Sequence, residues 1–342
     1  MRQRAHEHST LLDGFVKRPA LLGRNWTGAR GLAPVAFLRN MTICEGASMR
    51  ILLAGGAGAI GRQLTPALAA AGHQVWATSR SAAKARTLEA DGAHPLVMDV
   101  YVPDSVEAAF ESARPDAVIH QLTDLSAYDL DANSRIRIEG TRILVDAAKR
   151  HGVGRMVAQS ISWVVPDGDA LATESEPFRK GLMPGVAELE SAVLELPEGV
   201  VLRFGQFYGP GTWRSSRAAQ SEATLERALA PMTEVGSFVH VADAASATVL
   251  ALGWPHGVVN IVDDEPARAN EWMPVLAAAL GTTPPPVPAG LPHGRPVSNA
   301  LARGRGWTPR FPSWREGFTV LDGGVTAEGT KGTGGTADQT RP

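Results

Sequence analysis

Between residues 50 and 165 short apolar runs alternate with stretches whose apolar positions recur at helical spacing. Ile51 to Ala54 is a continuous apolar run that reads as a buried strand, and an Ala/Leu-rich helical pattern follows it. Gly72-His73 ends that helix, and Gln74 to Thr78 reads as a second strand, which completes a β-α-β unit of about 30 residues. Val97 to Val100 reads as a third strand and its end. Ser105 to Ala113 is a short helix with Val106, Ala109 and Phe110 on one face. Ala117 to His120 is a fourth strand. Arg135 to Lys149 is a helix carrying Ile136, Ile138, Ile143, Leu144 and Ala147, and Arg155 to Gln159 is a fifth strand. Such alternation predicts an α/β fold, a Rossmann-type doubly wound parallel sheet with helices on both faces. Pro66 breaks a local rule: inside the first helix it lacks an N–H and crowds the preceding turn, so a kink is expected there.

The alternation loosens after residue 165. Glu188 to Leu196 reads as helix, Val200 to Phe204 and Val258 to Val262 as strands, and Trp272 to Leu280 as a short helix. Prolines and glycines cluster over 281–296. The expected organisation is a nucleotide-binding domain over 49–165 and a smaller C-terminal substrate-binding lobe over 166–322 that covers the carboxyl edge of the sheet. Residues 1–48 hold six arginines and one lysine against three acids and show no sustained period. They read as an extension outside the fold, disordered or ahead of a start at Met49, with a targeting segment as the alternative. The Gly- and Thr-rich tail over 323–342 has few apolar residues and is expected to be disordered.

The first strand leads into Gly55, Gly58 and Gly61, spaced G-x-x-G-x-x-G, and the helix begins there. A helix N-terminus offers unpaired N–H groups and the positive end of its dipole, so this turn suits a pyrophosphate. Glycine lets the backbone turn sharply and lets phosphates approach. The alternative is a tight turn that binds nothing.

Composition narrows the rest. A net charge of −2 over 342 residues gives no basic surface for nucleic acid. The one cysteine, Cys44, lies outside the predicted fold, so neither a disulfide framework nor a Cys/His metal site is expected. No apolar run approaches the ~20 residues that span a membrane. Metal-free, cytoplasmic function on a small-molecule substrate is the expectation.

The chain resembles the extended short-chain dehydrogenases, specifically the NAD-dependent epimerase/dehydratase group that acts on sugar nucleotides. The likeness covers about 49 to 320. It rests on the glycine motif, Asp99-Val100, His120-Gln121, Gly140-Thr141, the run from Val201 to Gly211, the run from Phe238 to Ala245, Asn260 to Asp263, and Gly306-Trp307-Thr308-Pro309. The resemblance implies that Gly55, Gly58, Ala59, Ile60 and Gly61 hold a pyrophosphate, that Asp99 and Val100 meet an adenine, and that His120 and Gln121 line the nicotinamide side. By the same analogy Arg203, Tyr208 and His240 are substrate contacts, and a homodimer is expected. For each of these residues a structural role stays open beside the functional one.

In NAD-binding members an Asp or Glu ends the second strand and grips the ribose 2′-hydroxyl. Here that place holds Ser79, followed by Arg80, with Lys84 near in sequence. An arginine can pair with a 2′-phosphate, so NADP(H) is expected over NAD(H), the alternative being that Arg80 is an exposed helix-start residue.

The family's chemistry uses Tyr-x-x-x-Lys, in which the phenol trades a proton with a substrate oxygen. The three tyrosines here are Tyr101, Tyr128 and Tyr208, and four residues on stand Ser105, Ala132 and Thr212. The pair is absent. The segment Phe178 to Val186, where it should lie, offers Lys180 but no Tyr. Ser160 and Ser162 flank Ile161 where the family carries an active-site Ser or Thr. Ser160 and Lys180 are the catalytic candidates, with His120 as a further acid. Three functions follow: an atypical NAD(P)-dependent oxidoreductase or epimerase-like enzyme on a sugar nucleotide or small carbonyl, a non-catalytic NADP(H)-binding redox sensor, and, with less support, a structural or partner-binding relic.

Overall fold

The computed structural model describes residues 48–124, 129–179 and 184–321. In chain order the first half runs β1 (Arg50–Ala54), α1 (Ala59–Ala70), β2 (Gln74–Ser79), α2 (Ala82–Ala90), β3 (His94–Val97), α3 (Pro103–Ala113) and β4 (Ala117–His120). It continues through α4 (Leu130–Arg135), a π-helical turn (Ile136–Gly140), α5 (Thr141–Arg150) and β5 (Arg155–Ile161). Then come α6 (Pro184–Leu194), β6 (Glu198–Phe204), β7 (Gln206–Tyr208), α7 (Glu222–Leu229), β8 (Val235–Gly236), β9 (Phe238–His240) and α8 (Val241–Ala251). The last parts used below are β10 (Gly257–Ile261), β11 (Ala267–Arg268), α9 (Ala269–Ala279), α10 (Ala300–Gly304) and α11 (Trp314–Gly317).

Seven strands form one sheet in the order β10-β6-β5-β4-β1-β2-β3, and every pairing in it is parallel. Strands β6 and β10 extend the sheet beyond its first five, so residues on both sides of position 165 build it. Because helices cover both faces, the central strands are apolar throughout: Ile51 to Ala54 and Ala117 to Ile119 are fully buried. One core layer packs Leu64 and Leu68 of α1 with Val241, Ala244 and Ala247 of α8, while the other packs Phe110, Leu144, Val145, Leu189 and Val193. A third cluster, with Tyr208, Phe238, Trp272, Trp314 and Phe318, builds the later part of the chain.

Three expectations are corrected. The third strand lies at His94–Val97, not 97–100. Pro95 is tolerated there because β3 is the edge of the sheet, and Met98 adds only one further bond, from its N–H to Ser79 O. Asp99 therefore sits in the loop after the strand. The long helix over 135–149 is interrupted by the π turn Ile136–Gly140, within which Arg137 is 4% exposed and Ile138 41% exposed. Helix α1 runs unbroken through Pro66, and Thr65 Oγ1 donates to Gly61 O at 2.9 Å in the turn before it.

Candidate functional site

The loop after β1 closes against two neighbours. Gly55 has φ +92°, and a Cβ there would come within 2.9 Å of Gln121 O. A Cβ on Gly61 would come within 2.4 Å of Gly56 O, so only glycine lets α1 start this close to the loop. Gly58 differs: its φ is ordinary, and a Cβ would meet only Gly55 O, at 3.3 Å. Gly58 is the N-cap of α1, no side chain caps it, and the first turn holds no acid. The amide donors of Ala59, Ile60 and Gly61 therefore begin a helix whose positive end has no anionic side chain beside it. The loop after β7 returns to this place, since a Cβ on Gly211 would lie 3.6 Å from Ala59.

Around the loop lie the other sequence-singled residues. Ser79 ends β2, and its Oγ accepts the N–H of Ser81 at 3.2 Å. Arg80 is 3.7 Å from Asp124, a carboxylate after β4 that the sequence did not single out. Val100 is buried against Gly140, whose added Cβ would be 3.2 Å from Val100 Cγ1. Asp99 Oδ1 accepts the N–H of Tyr101 at 3.0 Å, and the Arg135 guanidinium lies 4.4 Å over the Tyr101 ring. Gln121 is buried, and neither of its amide atoms has a partner among the described residues.

His120 is no acid. Its Nδ1 accepts the N–H of Leu122 at 3.2 Å, so Nε2 carries the hydrogen and donates to Thr141 Oγ1 at 2.8 Å. Burial, with Arg137 adding to it, lowers its pKa to about 4, and the ring is neutral at neutral pH. Ser160 donates to Glu190 Oε1 at 2.6 Å and is a strut within an internal cluster. Glu190 is also gripped by Arg203 Nε at 3.0 Å and Nη2 at 2.8 Å, both side chains being almost fully buried. Ser162, just past the end of β5, is buried as well but does not join that cluster.

Two of the substrate contacts expected by analogy are internal. Tyr208 is fully buried with its hydroxyl pressed over Gly317, where a Cβ would overlap it, and burial beside Asp263 raises its pKa. His240 caps α8 by accepting the N–H of Ala242 at 3.1 Å, and burial lowers its pKa to about 3. Lys180 and Tyr128 lie outside the described residues. Of the segment 178–186, the described residues Phe178 and Val186 join an apolar cluster with Ile161, Val164 and Trp163. Among the described residues no three metal-ligating side chains gather, and no helix is long and apolar enough to cross a membrane.

The family model described as NAD dependent epimerase/dehydratase family matches residues 51–261. The chain belongs to this family. A Streptomyces 3-diazoavenalumate denitrifying reductase is 38% identical over a 309-residue alignment, which covers 79% of this chain and 99% of that protein. A Stigmatella aurantiaca 4-hydroxy-2-methyl-3-oxo-4-farnesyl-3,4-dihydroquinoline-1-oxide ketoreductase is 32% identical over 154 residues, 43% of this chain and 46% of that protein. Among solved structures, the Thermus thermophilus UDP-glucose 4-epimerase in complex with NAD matches with TM-score 0.66 and 26% identity, covering 80% of this chain and 97% of that one. As a member of the epimerase/dehydratase family the chain is a Rossmann-type, oxidoreductase-like protein. Its glycine loop and the orphaned Gln121 amide fit the family's nicotinamide dinucleotide, because Gly55 and Gly61 leave no room for a side chain and the amide lacks a partner.

The sequence missed Arg137, Glu190 and Asp124. Glu190 carried a signal: it stands four residues after Val186 on the buried face of α6 that also holds Leu189 and Val193. A carboxylate at such a position requires a buried partner. Arg137 carried the same signal: it stands four residues before Thr141 and seven before Leu144, both fully buried, so regular helical spacing already places it on the inner face.

Proposed function

We propose that this chain is an NADP(H)-dependent reductase that works without a tyrosine proton donor, and that its substrate is an aryl diazo compound whose nitrogen leaves as dinitrogen. The observation that carries the reading is an intact cofactor cradle beside an apolar wall where the family keeps its Tyr and Lys. Reducing a carbonyl creates an alkoxide and calls for a proton at oxygen. A diazonium is already cationic and makes no such demand. The bound cofactor supplies one hydride. Hydride addition to the terminal nitrogen of Ar–N₂⁺ gives neutral Ar–N=N–H, and the N–H hydrogen moves to the ring carbon as N₂ departs, leaving Ar–H. The printed name of the Streptomyces relative, a denitrifying reductase of a diazo compound, supports this substrate class.

In this reading the amides after Gly58 and the Gly55 turn hold the pyrophosphate, Val100 and Asp99 border the adenine, and the Gln121 amide meets the nicotinamide ribose or ring. Val186, Ile161 and Trp163 keep water from a reactive nitrogen electrophile. Residues 166–322 supply the far wall of the cleft. Arg80 selects NADP(H): its contact with Asp124 is long and its side chain 58% exposed, so the pair is weak and gives way to a 2′-phosphate. The second reading, a non-catalytic NADP(H) sensor, draws support from the neutral His120 and the committed Ser160, which leave no obvious proton donor.

The test is NADPH oxidation with 4-diazobenzoate, ethyl acetoacetate and UDP-glucose as separate probes. The reductase reading predicts oxidation with the first alone, with one N₂ released per NADPH. Turnover of the ketone alone would return the chain to carbonyl chemistry, and tight NADPH binding with no turnover of any probe would favour the sensor.

A further inference from the structure

Two buried guanidinium groups, Arg137 and Arg203, face a single buried carboxylate, Glu190. Arg203 holds Glu190 with Nε and Nη2, and its Nη1 is buried without a partner. Arg137 is 4% exposed, within electrostatic reach of both Glu190 and His120, and makes no hydrogen bond or ion pair with any described residue. Glu190 already serves Arg203 and Ser160, and His120 is neutral. Among the described residues one positive charge therefore has no carboxylate of its own in a region where burial penalises it. Burial lowers Arg137 to about 10, partly offset by Glu190, so it remains a cation at neutral pH.

The location bears on substrate. Arg137 sits in the π turn, and a Cβ on Gly185 at the start of α6 would lie 3.3 Å from Arg137 Cβ. That places Arg137 beside the segment where the family carries Tyr and Lys, next to the apolar cluster of Val186, Ile161 and Val164. Arg203 reaches the same wall, with its guanidinium 4.9 Å over the Phe178 ring, and Trp163 adds a buried Nε1–H with no acceptor. Donors here outnumber acceptors, and an anion with two oxygens would satisfy them.

We infer that Arg137, backed by the free Nη1 of Arg203, is a substrate-binding residue that holds a carboxylate of the substrate against the start of α6. This rests on the reductase reading of the same site and adds to it a substrate class: an anionic aryl electrophile. Arg137 stays protonated throughout and donates no proton; it orients the anion and balances its charge.

The test has two arms. Cinnamate, an unreactive aryl carboxylate, is titrated calorimetrically into the enzyme–NADPH complex of the wild type, Arg137→Met and Arg137→Lys. The expected result is binding to the wild type, a loss of about tenfold or more in Arg137→Met with unchanged NADPH affinity, and partial recovery in Arg137→Lys. Equal cinnamate affinity in Arg137→Met, or no cinnamate binding by the wild type, would overturn the inference. In the second arm 4-diazobenzoate and the uncharged-ring probe 4-methylbenzenediazonium are compared. KM for the first should rise about tenfold in Arg137→Met while the second changes little; a parallel change in both overturns the role. Cinnamate binding that depends on Arg137 with neither diazonium reduced would leave the anion site standing and remove the reductase reading.

Discussion

The two ends of this site were shaped by different constraints. At the glycine loop, backbone approaches backbone so closely that Gly55 and Gly61 admit no Cβ, and the helix start is left without an acidic cap. At the start of α6, an apolar cluster has beside it a buried guanidinium that makes no ion pair with any described residue. The first end preserves the demands of a dinucleotide, which do not depend on what is reduced. In the proposed function the second end carries the demands of the substrate, and the absence of a Tyr-x-x-x-Lys pair fits an electrophile that needs no acid.

The comparison breaks most sharply at Glu190. Glu190→Gln leaves Arg203 buried without its counter-charge and should cost about 3–5 kcal/mol in chemical denaturation. A loss under about 1 kcal/mol would mean that the cluster is solvated, and the buried charge imbalance would disappear with it. Gly58→Leu addresses the other end. Because a Cβ there meets only Gly55 O, the fold should survive, while NADPH affinity falls by about a hundredfold or more as the side chain takes the phosphate's space. Unchanged affinity would show that the loop is structural only.

Stability against pH separates the two ends through His120. Its folded pKa of about 4 lies below the ordinary 6.5, so its contribution is present above 6.5 and is lost as pH falls toward 4. About 2 kcal/mol should go between pH 6.5 and 5, read as a falling thermal midpoint. His120→Gln should flatten that slope, and an unaltered slope would show that other groups set it. Arg80→Asp should move cofactor preference from NADPH toward NADH by about tenfold, and no shift would remove Arg80 from the cofactor site. The smallest effect is expected of Ser160→Ala: about 1 kcal/mol of stability, with the turnover rate nearly unchanged. A collapse in rate at full stability would restore Ser160 to the chemistry.

Much of the fold was legible because continuous apolar runs in a parallel sheet have few other readings, and Ala117 to His120 came out as expected residue for residue. The third strand slipped because Val97 to Val100 is the more apolar stretch, whereas edge pairing to β2 fixes His94 to Val97. In the site, the glycine loop was readable from spacing alone. Asp124 and Arg137 were not. The first meets Arg80 only through the crossover of β4 beside β1, and the second, although spaced with the buried Thr141 and Leu144, comes near Glu190 only because the start of α6 packs on the π turn. Local periodicity carries neither fact.

The most direct test of a hydride-delivering site without a proton donor is the pH dependence of kcat/KM for NADPH-dependent reduction of 4-diazobenzoate. His120 is already neutral above about 4, and Arg137 keeps its charge until about 10. The account predicts a flat profile between about pH 5 and 9. A rate that falls steadily as pH rises through neutrality would reveal an essential acid and contradict it.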